Sequence, residues 1–221
     1  MKPLSVLVIA AHADDEVMGC GGTIAKMARQ GARTAVYIAT QPGGHSRYQE
    51  SLGQAQARRQ GEAQRAAQVL GAEMPIIGDR EELSLTEGDV SAVADSLRQQ
   101  IERTEAEVVF THHRNDLHFD HRAIAEATIV ATRPFVRTPH LRRVLMYQQI
   151  EVGAIALGPS VFIDISQTLE AKIEALLCYE SELRPFPHPR SREAISARAM
   201  LLGSHVGVRA AEAFDLVWEI A

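Results

Sequence analysis

Cysteine is scarce: Cys20 and Cys178 are the only two in 221 residues. This excludes a disulfide scaffold, and it excludes a finger- or ribbon-type zinc site, which needs more thiolates at short spacing. Any metal must be held mainly by histidines and carboxylates, and nine histidines are available. Aromatic residues make up 5% of the chain, with a single tryptophan, so no aromatic group stands out as an interface anchor. No apolar run approaches membrane-spanning length. The apolar stretch near the N-terminus is too short for a secretory signal and runs straight into acidic residues. Cytoplasmic placement, with no membrane partner, is therefore the expectation. Basic charge is not in excess: the formal net charge is −5, which argues against a nucleic-acid partner. Lysine is rare, at positions 2, 26 and 172, and the remaining basic residues are arginine, which suits carboxylate or phosphate recognition better.

Hydrophobic residues account for 46% of the chain, enough for an ordinary globular core. The length suits one domain spanning residues 1–221. Short apolar runs at 4–10, 34–39, 74–77, 107–111, 144–147 and 161–165 read as strands. Segments 17–30, 55–70, 90–103 and 123–131 carry helical spacing. Gly31 and Gly71 serve as helix stops. Strands alternating with helices of this length predict an α/β fold, doubly wound, with a mostly parallel sheet and helices on both faces. Beyond about residue 166 the chain reads mainly as helix, broken at 184–189 by three prolines.

Two polar clusters follow strands and precede helices. The first is Ala11-His12-Ala13-Asp14-Asp15-Glu16. Acids at a helix start can be explained by capping and the helix dipole, but that leaves His12 unexplained. The second runs from Thr111 to His121 and holds His112, His113, His118 and His121, together with Asp116 and Asp120. Ligands of open parallel sheets bind beyond the carboxyl ends of the strands, at the topological switch point. With strand order 3-2-1-4-5, the first and fourth strands are neighbours there. A joint site of His12, Asp14, Asp15, His118, Asp120 and His121 follows. The segment Gly19-Cys20-Gly21-Gly22 does not match a dinucleotide fingerprint. It reads as glycines that let the helix start pack closely on the sheet.

His12-Ala13-Asp14-Asp15-Glu16 and His118-Phe119-Asp120-His121 together resemble the LmbE-like (PIG-L) family of zinc-dependent N-acetylsugar deacetylases, whose Rossmann-like sheet is of the kind just described. Weaker similarities lie in Arg59-Gln60-Gly61-Glu62, His188-Pro189-Arg190-Ser191 and Ala211-Glu212-Ala213-Phe214. Ala13 stands where the family usually has proline, which loosens the turn without removing a ligand. The resemblance implies that Zn²⁺ is held by His12, Asp15 and His121, with Asp14 as general base. It further implies that a protonated His118, paired with and oriented by Asp120, stabilises the oxyanion, while Asp116 supports the ligands from behind. Three N/O ligands with an open position is the catalytic zinc arrangement.

The implied reaction is amide hydrolysis, freeing acetate from an N-acetylglucosamine-type glycoside or conjugate. The alternative is a non-hydrolytic sugar- or nucleotide-binding module that keeps the metal site. Arg59 and Glu62 either line the sugar pocket or form an exposed i,i+3 ion pair. The segment 43–48, with His45 and Arg47, is expected to be a mobile loop over the site. Arg190 is expected to reach either an anionic group of the substrate or only a helix terminus. The resemblance also implies a homo-oligomer of trimer or hexamer type.

Overall fold

A computed structural model describes residues 2–41, 49–135, 138–148 and 159–221. Its centre is a seven-stranded sheet. The strands are β1 (Ser5–Ala10), β2 (Arg33–Gln41), β3 (Ile76–Glu81), β4 (Val108–His112), β5 (Arg143–Tyr147), β6 (Val161–Asp164) and β7 (Ala211–Glu219). Their order across the sheet is β3-β2-β1-β4-β5-β7-β6. The first five pair in parallel, whereas β7 runs antiparallel to both β5 and β6. The expected 3-2-1-4-5 order is therefore present, and β1 and β4 are neighbours.

Among the described residues six α-helices cover the two faces: α1 (Asp15–Arg29), α2 (Leu52–Leu70), α3 (Val90–Thr104), α4 (Phe119–Ala131), α5 (Leu169–Leu177) and α6 (Arg192–His205). Alternation along β1 divides the core. Val6, Val8 and Ala10 pack in one cluster with residues of α1, α2, α5 and α6. Leu7 and Ile9 pack in the other with Val93, Leu97 and Ile101 of α3 and Ile124 of α4. A strand buried on both faces reads as a continuous apolar run, which is why 4–10 was legible without alternation. Among the described residues, no helix is long and apolar enough to cross a membrane.

The largest difference from the sequence reading is β7. The region after 166 does contain α5 and α6, but it ends in a nine-residue strand inserted between β5 and β6. Its stability comes from sheet neighbours far away in the chain, so local periodicity signals it poorly. Helix starts also differ. α1 begins at Asp15 and α4 at Phe119, earlier than apolar spacing indicates, because their first turns are polar and carry site residues.

The expected close packing of the α1 glycines is present. A Cβ on Gly19 would lie 2.3 Å from Cδ2 of Tyr147 on β5, and one on Gly22 would lie 2.7 Å from Cδ1 of Ile165.

Candidate metal and catalytic site

The site forms beyond the carboxyl ends of β1 and β4. From β1 the chain turns through His12, Ala13 and Asp14 into α1. Asp14 adopts φ 127, a left-handed conformation strained for a side-chain-bearing residue. The Asp14 N–H donates to Glu16 Oε2 at 3.1 Å, and the His12 N–H donates to Asp15 Oδ2 at 2.8 Å. These bonds fix the turn so that the two adjacent carboxylates point apart. Asp15 faces the histidines. Asp14 faces Arg190, whose Nη1 is 3.2 Å from its Oδ2.

From β4, His112 closes the strand, and His118 caps α4 by accepting the Asp120 N–H on Nδ1 at 3.2 Å. His121 follows in the first turn. Asp15 Oδ2, His12 Nδ1 and His121 Nε2 form a near-equilateral triangle. Its edges are 3.3 Å from Asp15 to each histidine and 3.2 Å between the histidines. Two overlapping groups have the donor atoms to gather around an ion: His12, His118 and His121, and Asp15, His112 and His121.

Carboxylates behind the ring orient it. Asp116 Oδ2 lies 3.0 Å from His121 Nδ1, the position from which an acid fixes a ligand's tautomer. Asp120 does not form the expected pair with the His118 side chain. Its Oδ2 lies 2.9 Å from His12 Nε2 and accepts the Leu83 N–H at 2.7 Å, while its Oδ1 accepts from Leu85 N. The reason is geometric: His118 has turned Nδ1 onto the backbone of its own helix, leaving Asp120 free to reach across to His12.

Electrostatics follow this arrangement. Burial opposes charge on His12, but the Asp120 and Asp15 carboxylates outweigh it and raise its pKa to about 10. His121 rises to about 9 in the same way, against burial and through Asp15 and Asp116. Burial, with the charges of His121 and His12, lowers His118 to about 4. His118 is thus a neutral imidazole with Nε2–H as its donor, and not the protonated group expected. Asp15 is held well below the usual carboxylate range: burial pushes its pKa up, but the His121 and His112 rings outweigh that. Asp14 rises to about 6, because burial exceeds the pull of Arg190.

Arg59 and Glu62 are 6% and 1% exposed, so the surface ion pair is not what forms. Arg59 donates to the Ala13 carbonyl at 2.8 Å and pairs with Glu182 at 2.7 Å. Glu62 accepts from the Ser181 N–H at 3.0 Å and the Ser181 hydroxyl at 2.6 Å, tying α2 to the turn after α5. A cavity of about 300 Å³ beside the Ala13 turn is lined by Thr40, Gln41, Gln56, Arg59 and Gln60 among others, but not by Glu62. Arg47, His45 and the 43–48 loop lie outside the described residues.

His112 was not in the expected joint site. It is fully buried, its Nε2 accepts the Ala11 N–H at 2.9 Å, and it lies 3.3 Å from Asp15 Oδ2. The signal was its place as the first histidine at the end of the fourth strand. Glu16, whose carboxylate accepts from the Tyr179 hydroxyl, is a second buried acid at the turn.

The family described as PIG-L, GlcNAc-PI de-N-acetylase, matches residues 7–132, more than half of the chain and both polar clusters. The chain belongs to the PIG-L family. Within this deacetylase family, the Escherichia coli K12 protein YaiS, named an uncharacterized deacetylase, is 32% identical over 138 residues, covering 60% of this chain and 70% of YaiS. The N,N'-diacetylchitobiose deacetylase of Pyrococcus horikoshii, solved with an inhibitor, superposes with a TM-score of 0.80 at 23% identity, covering 96% of this PIG-L chain and 83% of that one. The 4-carboxy-2-hydroxymuconate hydratase GalB of Pseudomonas putida superposes with a TM-score of 0.73 at 22% identity, covering 99% and 98%. The fold alone therefore does not select the reaction.

Proposed function

We propose that this PIG-L family protein is a zinc-dependent hydrolase that removes the acetyl group from an N-acetylated amino sugar. The observation that carries the reading is the triangle of His12 Nδ1, Asp15 Oδ2 and His121 Nε2, with edges of 3.2–3.3 Å. Tetrahedral zinc about 2.0–2.1 Å from its ligands sets neighbouring donor atoms about 3.3 Å apart. His112 is the weaker candidate ligand, because its Nε2 lone pair already accepts the Ala11 N–H. Zinc held there supplies Lewis-acid polarisation of the amide carbonyl and lowers the pKa of water.

The protein groups divide the remaining work. Asp14, next to Asp15 on the same turn and not part of the triangle, takes the proton of the attacking water. As the C–N bond breaks, the same carboxyl returns that proton to the departing amine, leaving acetate and a free amino sugar. Arg190 holds the Asp14 carboxylate in place. His118 directs its Nε2–H at the oxygen that gathers charge as the tetrahedral intermediate forms. Asp116 and Asp120 orient His121 and His12.

The cavity beside Ala13 suits the sugar. Arg59 there is matched by Glu182 at 2.7 Å and Glu82 at 3.9 Å, so the lining offers carboxamides rather than an unmatched cation. Such a lining favours neutral hydroxyls over phosphate. The test combines metal analysis with acetate release on a panel of N-acetylglucosaminides. Zinc bound near one per chain with acetate released is the expected result. Protein that contains no zinc, and gains no turnover when zinc is added, would overturn the reading.

A further inference from the structure

α1 is bent. Cys20 sits at φ −144, ψ 22, outside the helical region, between the turns that carry Asp15 and Glu16 and the segment that runs on to Arg29. A straight helix would join the Gly22 N–H to the Met18 carbonyl, four residues earlier. Here each of these groups meets a side chain. The Gly22 N–H donates to Glu212 Oε1 at 2.9 Å, and the Met18 carbonyl accepts from Lys172 Nζ at 2.8 Å. The Thr23 N–H donates to Glu212 Oε2 at 2.7 Å. Lys172 and Glu212 also bond to each other, and both are buried, at 4% and 3% exposure.

The pair thus bridges the two ends of one helix hydrogen bond. Lys172 comes from α5 and Glu212 from β7, so two distant elements meet at the bend. Burying an ion pair costs desolvation, and well-packed apolar residues often match or exceed its stability. Stability alone is a poor reason for this arrangement. Its polarity is specific: the carboxylate is needed for two N–H donors, the ammonium for one carbonyl.

We propose that Lys172 and Glu212 are positioning residues for the site: they hold α1 in its bent form and thereby set where Asp14 and Asp15 stand. The first segment is only about one turn long, so any straightening at Cys20 is passed directly to Asp15. The inference rests on the reading of Asp15 as a zinc ligand.

The test uses the full-length protein and the variants Glu212→Gln, Lys172→Met, Lys172→Arg and the exchange Lys172→Glu with Glu212→Lys. Zinc affinity is read by chelator competition, kcat and KM by acetate release, and folding by circular dichroism and Tm. Glu212→Gln and Lys172→Met should bind zinc about 10–100-fold more weakly and lose kcat in step, with KM within about two-fold. The exchanged pair keeps the opposite charges but presents an ammonium to two N–H groups, so it should do no better than the single variants. Lys172→Arg keeps a donor for the Met18 carbonyl and should retain wild-type zinc affinity within about three-fold. Full recovery in the exchanged pair would overturn the proposal. So would single variants that bind zinc like the wild type, whatever their Tm. If the wild type binds zinc but releases no acetate, the deacetylase reading fails, while zinc affinity still decides the role of the pair.

Discussion

The Asp15 carboxylate stands 3.3 Å from Nε2 of His121, a residue 106 positions later in the chain. The two groups form an ion pair, with the imidazole pKa raised to about 9 and that of His12 to about 10. On the proposed ligand set zinc displaces those protons, so its apparent affinity should rise with pH up to those values. With two protons displaced, the gain is up to about 100-fold per pH unit. Chelator competition between about pH 6.5 and about pH 8.5 checks the slope; a pH-independent affinity contradicts this ligand set.

Asp14→Asn should keep its zinc and lose turnover by roughly 10²–10⁴-fold, the usual share of a general base. Metal content and acetate release, measured on one preparation, separate the two effects. A binding module that does no hydrolysis would be indifferent to the change.

Arg190→Met should move the acid limb of kcat/KM to higher pH. As the proposed base Asp14 works as the carboxylate, so activity should be present above its pKa of about 6 and lost below it. Burial raises that pKa and Arg190 lowers it. Removing the cation leaves burial unopposed on that side, and the carboxyl holds its proton to higher pH. A pH profile of both proteins checks the direction of the shift.

His118→Ala should lower kcat by roughly 10²–10³-fold, as for removal of one oxyanion donor. The neutral state of His118, with its pKa lowered to about 4, means that its deprotonation contributes no limb to the kcat profile near neutral pH. A profile with a basic limb near pH 7 that disappears in the variant would restore the protonated form.

Gly19→Ala should destabilise the fold. The new methyl would sit 2.3 Å from the Tyr147 ring, which is fully buried and bonded through its hydroxyl to the Ile9 carbonyl. Overpacking of this kind costs about 1–3 kcal/mol. The lowered Tm can be read by calorimetry or circular dichroism.

Much of the site was legible because its residue types are costly anywhere else. Acids at a helix start can serve as caps, but acids joined by histidines directly after apolar strands have few structural uses, and the parallel-sheet rule placed the two clusters together. Partner choice was not legible. Asp120 and His118 are two apart in the chain, yet the Asp120 carboxylate goes to His12, because a helix N-cap rotates His118 toward the backbone. His112 joined the site through its bond to the Ala11 N–H across adjacent strands.

What the amino-acid sequence by itself determined is the chemistry on offer and the alternation of strands with helices. Scarce cysteine left a histidine–carboxylate set as the means of holding a metal, and apolar period with glycine stops marked the alternating elements. What only tertiary structure decided is which donor atoms meet. The 3.2–3.3 Å triangle, the opposite aims of Asp14 and Asp15, the bend at Cys20 and the insertion of β7 all depend on contacts between distant segments. Such contacts gain their energy only once the whole sheet is assembled, so no local stretch of sequence carries their signal.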